Sequence, residues 1–343
     1  MKTQLLGLDS AQKREDNLNL AAKALQNGKL VVFPTETVYG IGADALNISA
    51  VANIFTAKGR PQDNPLIVHV ADVKQIKPLV VEFCETAKLL AEKFWPGPLT
   101  IIFPKSELIP SEVSAGLDTV AIRIPSHPVA HELLKKAGIP VAAPSANRSG
   151  LPSPTTAQHC YTDLNGKVDI ILDGGHANVG VESTVVAIEN GVPVILRPGG
   201  VPLEDLIDAV GQARVSHAVL EELGKDEVAS SPGMKYKHYS PKADVFIVHG
   251  NKAEYAEYCN KHAENNVWAM AFEEDMKLID TQKISYGSQE NLGELATNLF
   301  YILRQLDDIG AETIFVHAPS TKGIGLAVYN RLLRAAAFKE IHL

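Results

Sequence analysis

Cysteine is nearly absent from this chain. Its three copies, Cys84, Cys160 and Cys259, stand far apart in 343 residues, which fits neither a disulfide framework nor the CxxC spacing of a zinc module and predicts a reducing compartment. No apolar run approaches the 18 or so residues of a membrane span. The opening stretch MKTQLLGLDSAQKRED lacks the apolar core of a signal peptide, so an unexported, cytoplasmic protein is expected. Basic charge is also short: 32 Lys and Arg against 40 Asp and Glu leave a net charge of -8, which argues against a strongly basic nucleic-acid binder and requires any anion site to be local. The chain contains no GxxxxGK[ST] loop, no HExxH pair and no GxSxG elbow. The P-loop, the zincin site and the α/β-hydrolase serine are thereby set aside.

What remains is an ordinary globular composition, 45% hydrophobic and 21% charged, at a length that implies about two domains. Short apolar runs bounded by Gly, Pro, Asn or Asp read as strands at 30–33, 66–70, 99–103, 120–124, 141–143, 170–172, 185–188 and 194–196. Three-and-four spacing of Ile48, Val51, Ile54 and Phe55, and of Leu203, Leu206, Ile207 and Val210, reads as helix. Adjacent strands without an intervening helix, at 99–124 and 170–196, predict a mixed sheet. The pattern loosens after Gly211 and ends in SSPGMKYKHYSP, a linker composition. Beyond it, strand and helix alternate as in a small Rossmann-like domain. Its clearest element is the stripe Leu292, Leu295, Leu299, Ile302, Leu303 and Leu306, with Gly310 as its stop. The division expected is 1–211, a linker at 212–241, and 242–343.

Several stretches carry chemistry. Lys58-Gly59-Arg60-Pro61, running on to Asn64, Pro65 and His69, sets two cations at a helix end. They complement the helix dipole or make an anion site. Strand alternation places Thr119, Ala121 and Arg123 on one face, where the Arg123 fork suits a carboxylate or phosphate if that face lines a cleft. Ser145 and Asn147 share a face at the start of a loop rich in Ser, Pro and Gly that reaches Thr155. Glu182-Ser183-Thr184 precedes a strand and Arg197-Pro-Gly-Gly follows one; either is also compatible with plain turn chemistry. Gly40-Ile-Gly42-Ala-Asp-Ala45 matches GxGxxA, but the acidic position that should follow falls at Asp63, in a Pro-rich loop.

Taken together, Pro34-Thr35-Glu36-Thr37-Val38-Tyr39-Gly40, Lys58-Gly-Arg60, Asn64-Pro-Leu, His69, Trp95-Pro-Gly-Pro98-Leu-Thr100, Arg123-Ile-Pro, Ser145-Ala-Asn147 and Arg197-Pro-Gly resemble the threonylcarbamoyl-AMP synthase family, the YrdC-like proteins. The linker with Tyr236, His238 and Tyr239 and the domain beyond it resemble the long, two-domain form. The resemblance implies a YrdC-like α/β fold, a twisted open mixed sheet with flanking helices around a concave cleft, followed by the smaller Rossmann-like α/β domain. It implies a nucleotidyltransferase that converts L-threonine, bicarbonate or CO2 and ATP to threonylcarbamoyl-AMP and pyrophosphate. The product would serve threonylcarbamoyladenosine modification of tRNA by separate transfer proteins.

Carried residue by residue, the family roles put Thr35, His69, Arg123, Ser145 and Ser183 around threonine. Lys58, Arg60, Asn64, Thr119, Asn147, Thr155 and Arg197 fall around ATP. Tyr236, His238 and Tyr239 become parts of a lid. Mg2+ is expected through the ATP phosphates rather than through protein ligands. The competing reading is an RNA-binding module that acts on tRNA without nucleotide turnover, against which the acidic composition counts. A carbamoyl-transfer protein of the hydrogenase-maturation type would need cysteine-rich zinc modules that three isolated cysteines cannot build.

Overall fold

The structure, a computed structural model, describes residues 2–221 and 239–343. Among these, the strands form two sheets. The larger has eleven strands in the order Gln4–Gly7, Ile170–Asp173, Val31–Phe33, Gly40–Asp44, Val141–Ala142, Ile67–His69, Thr119–Arg123, Leu99–Pro104, Thr184–Glu189, Val192–Arg197 and Arg214–Val215. Its pairings mix directions: Ile67–His69 runs parallel to Thr119–Arg123, and Thr119–Arg123 antiparallel to Leu99–Pro104. The mixed sheet read from the sequence is the sheet observed.

Strand alternation explains how this sheet is buried on both sides. Val31 and Phe33 pack under the helices Ala11–Gln26 and Pro128–Ala137, with Leu18, Leu25, Leu133 and Leu134. Val32, between them, faces the opposite layer, where Val51, Ile54 and Phe55 of helix Ile48–Lys58 pack with Leu90 of helix Glu85–Phe94. A three-residue strand thus serves two cores because successive side chains point to opposite faces.

Gly40–Asp44 is a strand that apolar patterning does not predict, because its glycines resemble a nucleotide motif. At Gly42 a Cβ would stand 2.7 Å from side-chain carbons of both Phe33 and Val141. This glycine answers a close approach of neighbouring strands. The edge strands Gln4–Gly7 and Arg214–Val215 are likewise unpredicted, each short and with little apolar patterning.

The second sheet is parallel throughout, in the order Lys283–Ser285, Val267–Ala271, Thr313–His317, Asp244–His249 and Glu340–His342. Helix Leu292–Asp308 buries the predicted stripe, with Leu295, Leu299, Leu303 and Leu306 fully inside. It packs beside helix Gly325–Ala335 on one face, and helix Lys252–Lys261 covers the other.

The two domains share a core and buried charge pairs. Val38 and Val181 of the first belong to the apolar cluster of the second. Arg304 on helix Leu292–Asp308 reaches Asp163 at 2.7 Å and the Pro152 carbonyl at 2.6 Å. The stretch expected to link the domains begins with the edge strand Arg214–Val215, after which Asn330 Nδ2 and Arg334 Nη2 donate to the Val219 and Ala218 carbonyls. Where the chain resumes, Ser240 ties both domains, its N–H donating to Gly150 O and its hydroxyl to Ala335 O. Among the described residues no helix is long and apolar enough to cross a membrane.

Candidate active site

The large sheet brings strand ends together. In parallel register His69 lies opposite Arg123, so the last residues of two strands stand side by side. Thr100 is the antiparallel partner of Arg123, and its hydroxyl lies 2.8 Å from that of Ser183. The loop after Val31–Phe33 closes one side with Thr35 to Tyr39, and the loop Ala143 to Gly150 closes another. Between them is an open cleft.

Ten of the predicted site residues line it: Thr35, Lys58, Arg60, His69, Arg123 and Ser145, with Asn147, Ser183, Arg197 and Tyr239. Three do not. Asn64 and Thr155 are buried beside the cleft, and their Oδ1 and Oγ1 atoms lack a hydrogen-bond partner. Thr119 pairs with Pro104 at the far end of the strand that ends in Arg123, about 13 Å away at 3.3 Å per residue. The lid residues Tyr236 and His238 lie outside the described residues.

Each side chain has a local cause. Asn47 caps the start of helix Ile48–Lys58, and Gly59, left-handed at φ 62°, ends it, which turns Arg60 toward the cleft. The Lys58 ammonium donates to the Ser145 carbonyl, to the Asn147 carbonyl at 2.7 Å and to Asn147 Oδ1 at 3.3 Å. Lys58 therefore braces the loop opposite. Burial, with Arg60 nearby, pushes its pKa well below the ordinary lysine value. Asn147 is held as firmly, donating to the Arg148 and Leu151 carbonyls at 2.8 Å and accepting from the Ser145 hydroxyl at 2.6 Å.

The arginines differ in commitment. Arg123 is buried and donates to Glu36 Oε1 at 2.7 Å, Thr37 Oγ1 at 2.8 Å and the Gly97 carbonyl at 3.3 Å. Glu36 Oε2 in turn accepts from the Ser126 and His127 N–H groups. Arg197 donates to the Ser183 carbonyl at 2.9 Å and hydroxyl at 3.1 Å, so it orients that serine. Arg60 donates to the Asn64 carbonyl and lies 5.9 Å from the Phe55 ring. Burial lowers the pKa of Arg60 to about 10, against the opposing pull of Tyr239 and Asp63, and burial also lowers that of Arg197. Cations held at such a desolvation cost gain when an anion enters. His69 is neutral at physiological pH, since burial, reinforced by Arg123, takes it down to about 3.

The second domain braces the cleft wall from behind, through Glu182. Glu182 accepts from Ser153 Oγ at 2.5 Å and from Arg331 Nε at 2.8 Å, and Arg331 is wholly buried in helix Gly325–Ala335. Burial opposes ionisation of Glu182, but Arg331 and Arg197 outweigh it and hold the carboxyl below its usual range. The Arg331 guanidinium carbon lies 5.4 Å from the Tyr239 ring centre, and that ring packs on Phe300 at 5.3 Å. Tyr239 itself is left-handed at φ 63°, a conformation that packing must hold in a non-glycine residue.

Sequence reasoning does not single out Glu36, Thr37 or Arg331 as site residues. A signal exists for Arg331. With Val328 three residues before and Ala335 four after, it falls on the apolar stripe of its helix, where a lone charge implies a buried partner.

This is an α/β protein with a locally cationic cleft built from separated loops, braced by a Rossmann-like second domain. Residues 23–199 match the family model described as "Telomere recombination", and residues 201–337 match "Threonylcarbamoyl-AMP synthase, C-terminal domain". The chain belongs to the threonylcarbamoyl-AMP synthase family in its two-domain form. The Threonylcarbamoyl-AMP synthase of Pyrococcus abyssi is 45% identical over 334 residues, covering 95% of this chain and 96% of the relative. That of Bacillus subtilis is 41% identical, covering 97% and 96%. The crystal structure of Pyrococcus abyssi Sua5 complexed with L-threonine superposes with a TM-score of 0.90 at 42% identity, covering all of both chains.

Proposed function

We propose that this chain condenses L-threonine, bicarbonate or CO2 and ATP to threonylcarbamoyl-AMP and pyrophosphate. The observation that carries the reading is the cleft itself. Cations whose burial is unfavourable, neutral His69 and the Ser145 and Ser183 hydroxyls meet in one cavity, in a chain that matches a threonine-bound relative over its full length.

The chemistry needs no protein nucleophile. The threonine amine adds to CO2, forming a C–N bond and releasing a proton to give a carbamate. A carbamate oxygen then attacks the α-phosphorus of ATP, and the bond to the β-phosphate oxygen breaks as pyrophosphate leaves. The protein's work is alignment and charge stabilisation. Arg123, already holding Glu36 and Thr37, would take the threonine carboxylate with its remaining donors, beside Thr35, His69, Ser145 and Ser183. Arg60 and Arg197 would face the phosphates. Lys58 adds its charge from behind the loop at Ser145 and Asn147, with Asn147, Asn64 and Thr155 on the nucleotide side.

Mg2+ would enter as the ATP complex. The carboxylates of Glu36 and Glu182 are both taken by arginines, which fits an ion carried on phosphates rather than by a protein cage. Tyr239, with Tyr236 and His238 before it, would cover the nucleotide and keep water from the carbamate and the mixed anhydride. The product would pass to separate proteins that modify tRNA in the cytoplasm.

The test is pyrophosphate release from Mg-ATP with threonine and bicarbonate together, then with each omitted. Release that requires both, with threonylcarbamoyl-AMP found by mass spectrometry, is the expected result. Release indifferent to threonine overturns the reading, as does salt-sensitive tRNA binding without turnover.

A further inference from the structure

The parallel pairing of strand Glu340–His342 with Asp244–His249 sets His342 opposite His249. The two imidazoles stack with centres 4.4 Å apart and planes 10° from parallel. Glu340, two residues before His342, lies on the same face of its strand, and its Oε2 is 2.6 Å from His249 Nε2. The potential ligand atoms of the three side chains all lie within 4.8 Å of one another. These separations, from 2.6 to at most 4.8 Å, bracket the roughly 3.4 Å between two ligands of a tetrahedral ion with bonds of about 2.1 Å, and because an imidazole binds an ion in its own plane, the exposed His342 ring would turn out of the stack to share it.

The supporting contacts also suit a metal. Tyr329, from the helix beneath, donates to Glu340 Oε2 at 2.6 Å, which fixes the carboxylate as an outer-shell partner fixes a ligand. The adjacent cation Lys339 points elsewhere and pairs with Asp244 at 2.7 Å. The His249 and Glu340 side chains are 28% and 27% exposed, open enough for an ion to enter and sheltered enough to be held in place. The cluster belongs to the second domain and takes no part in the cleft chemistry.

We propose that His249, Glu340 and His342 form a site for one divalent transition ion of the zinc type, which staples the last strand of the chain to its neighbour. Two imidazoles and a carboxylate are the donor set of zinc and its transition-metal neighbours rather than of Mg2+ or Ca2+. Three protein ligands leave a fourth position to water.

The test uses the full chain without a histidine tag, stripped with a chelator, kept reduced and titrated with zinc chloride. One equivalent is expected to bind, with a rise in melting temperature and slowed hydrogen exchange at 340–342. His342→Gln and Glu340→Gln should each weaken binding roughly tenfold or more. His249→Gln/His342→Gln should abolish the rise while its zinc-free melting temperature stays near the parent's. Excess Mg2+ should not compete. Absence of a one-equivalent site overturns the proposal, and so does zinc binding that survives the double substitution, since the ion then sits elsewhere. If the double variant misfolds, the two single Gln variants decide.

Discussion

The two domains use buried arginine in opposite ways. In the first, Arg60, Arg123 and Arg197 line a cavity, and burial lowers the pKa of Arg60 and Arg197. In the second, Arg304, Arg331 and Arg334 reach out of their own domain, to Asp163 and Glu182 of the first and to the Ala218 carbonyl of the linking stretch. The arginines of one domain line the cavity, while Arg331 of the other clamps its wall from behind through Glu182. A buried pair is weak evidence of net stability, yet removing one partner is costly. The second domain is thus coupled energetically to the cleft although it supplies little of the lining.

The most direct way to break this comparison is Arg331→Met, which leaves Glu182 buried without its cation. A loss of about 3–5 kcal/mol is expected, read as a lower denaturation midpoint. Turnover should fall with it, because Ser183 adjoins Glu182. The double variant Glu182→Gln/Arg331→Met should regain a large part of the stability; if it does not, the pair is not what joins the domains.

Inside the first domain, Lys58 and Arg60 should separate. Arg60→Met should raise KM for ATP roughly tenfold to a hundredfold, the worth of a hydrogen bond to a charged group, with the fold retained. Lys58→Met strips the loop at Ser145 and Asn147 of its donor, so it should also cost about 1–3 kcal/mol of stability. Equal stability of the two variants in thermal unfolding would remove the distinction between brace and ligand.

Acid should act on the cleft through His69. His69 is held down to about 3 in the fold, from 6.5, so between those values only the unfolded chain takes up its proton. Stability is then complete above about pH 6.5 and falls as pH drops, with a slope of up to about 1.4 kcal/mol per pH unit. Glu36 and Glu182, held below their usual 4.5, add losses of the same sign lower down. His69→Gln should flatten the slope between pH 6 and 5 in chemical denaturation.

The smallest effect should come from the outer helix Lys252–Lys261. Asn251 caps it in a capping box with Glu254, and Asn251→Ala should cost about 1 kcal/mol while leaving pyrophosphate release unchanged.

Much of the architecture is legible because alternation and three-and-four spacing report burial directly. The strands at 99–103 and 120–124 and the stripe from Leu292 to Leu306 are of this kind. Gly40–Asp44 is hidden because glycine, needed there for close packing, also marks nucleotide loops. Lys58 reads as an anion ligand because its partners, the backbone at Ser145 and Asn147, lie 87 and 89 residues away.

Sequence by itself determined that the chain is a two-part α/β protein of low cysteine content, and it named ten residues that the cleft unites. The first follows from local periodicity and composition, and the second from the resemblance to a known family, carried over residue by residue. Only the tertiary structure decided which partners each cation takes. It alone coupled Arg331 to Glu182, 149 residues apart, and placed His249 beside His342. A hydrogen bond depends on register and approach to within tenths of an ångström, and no spacing along the chain encodes either.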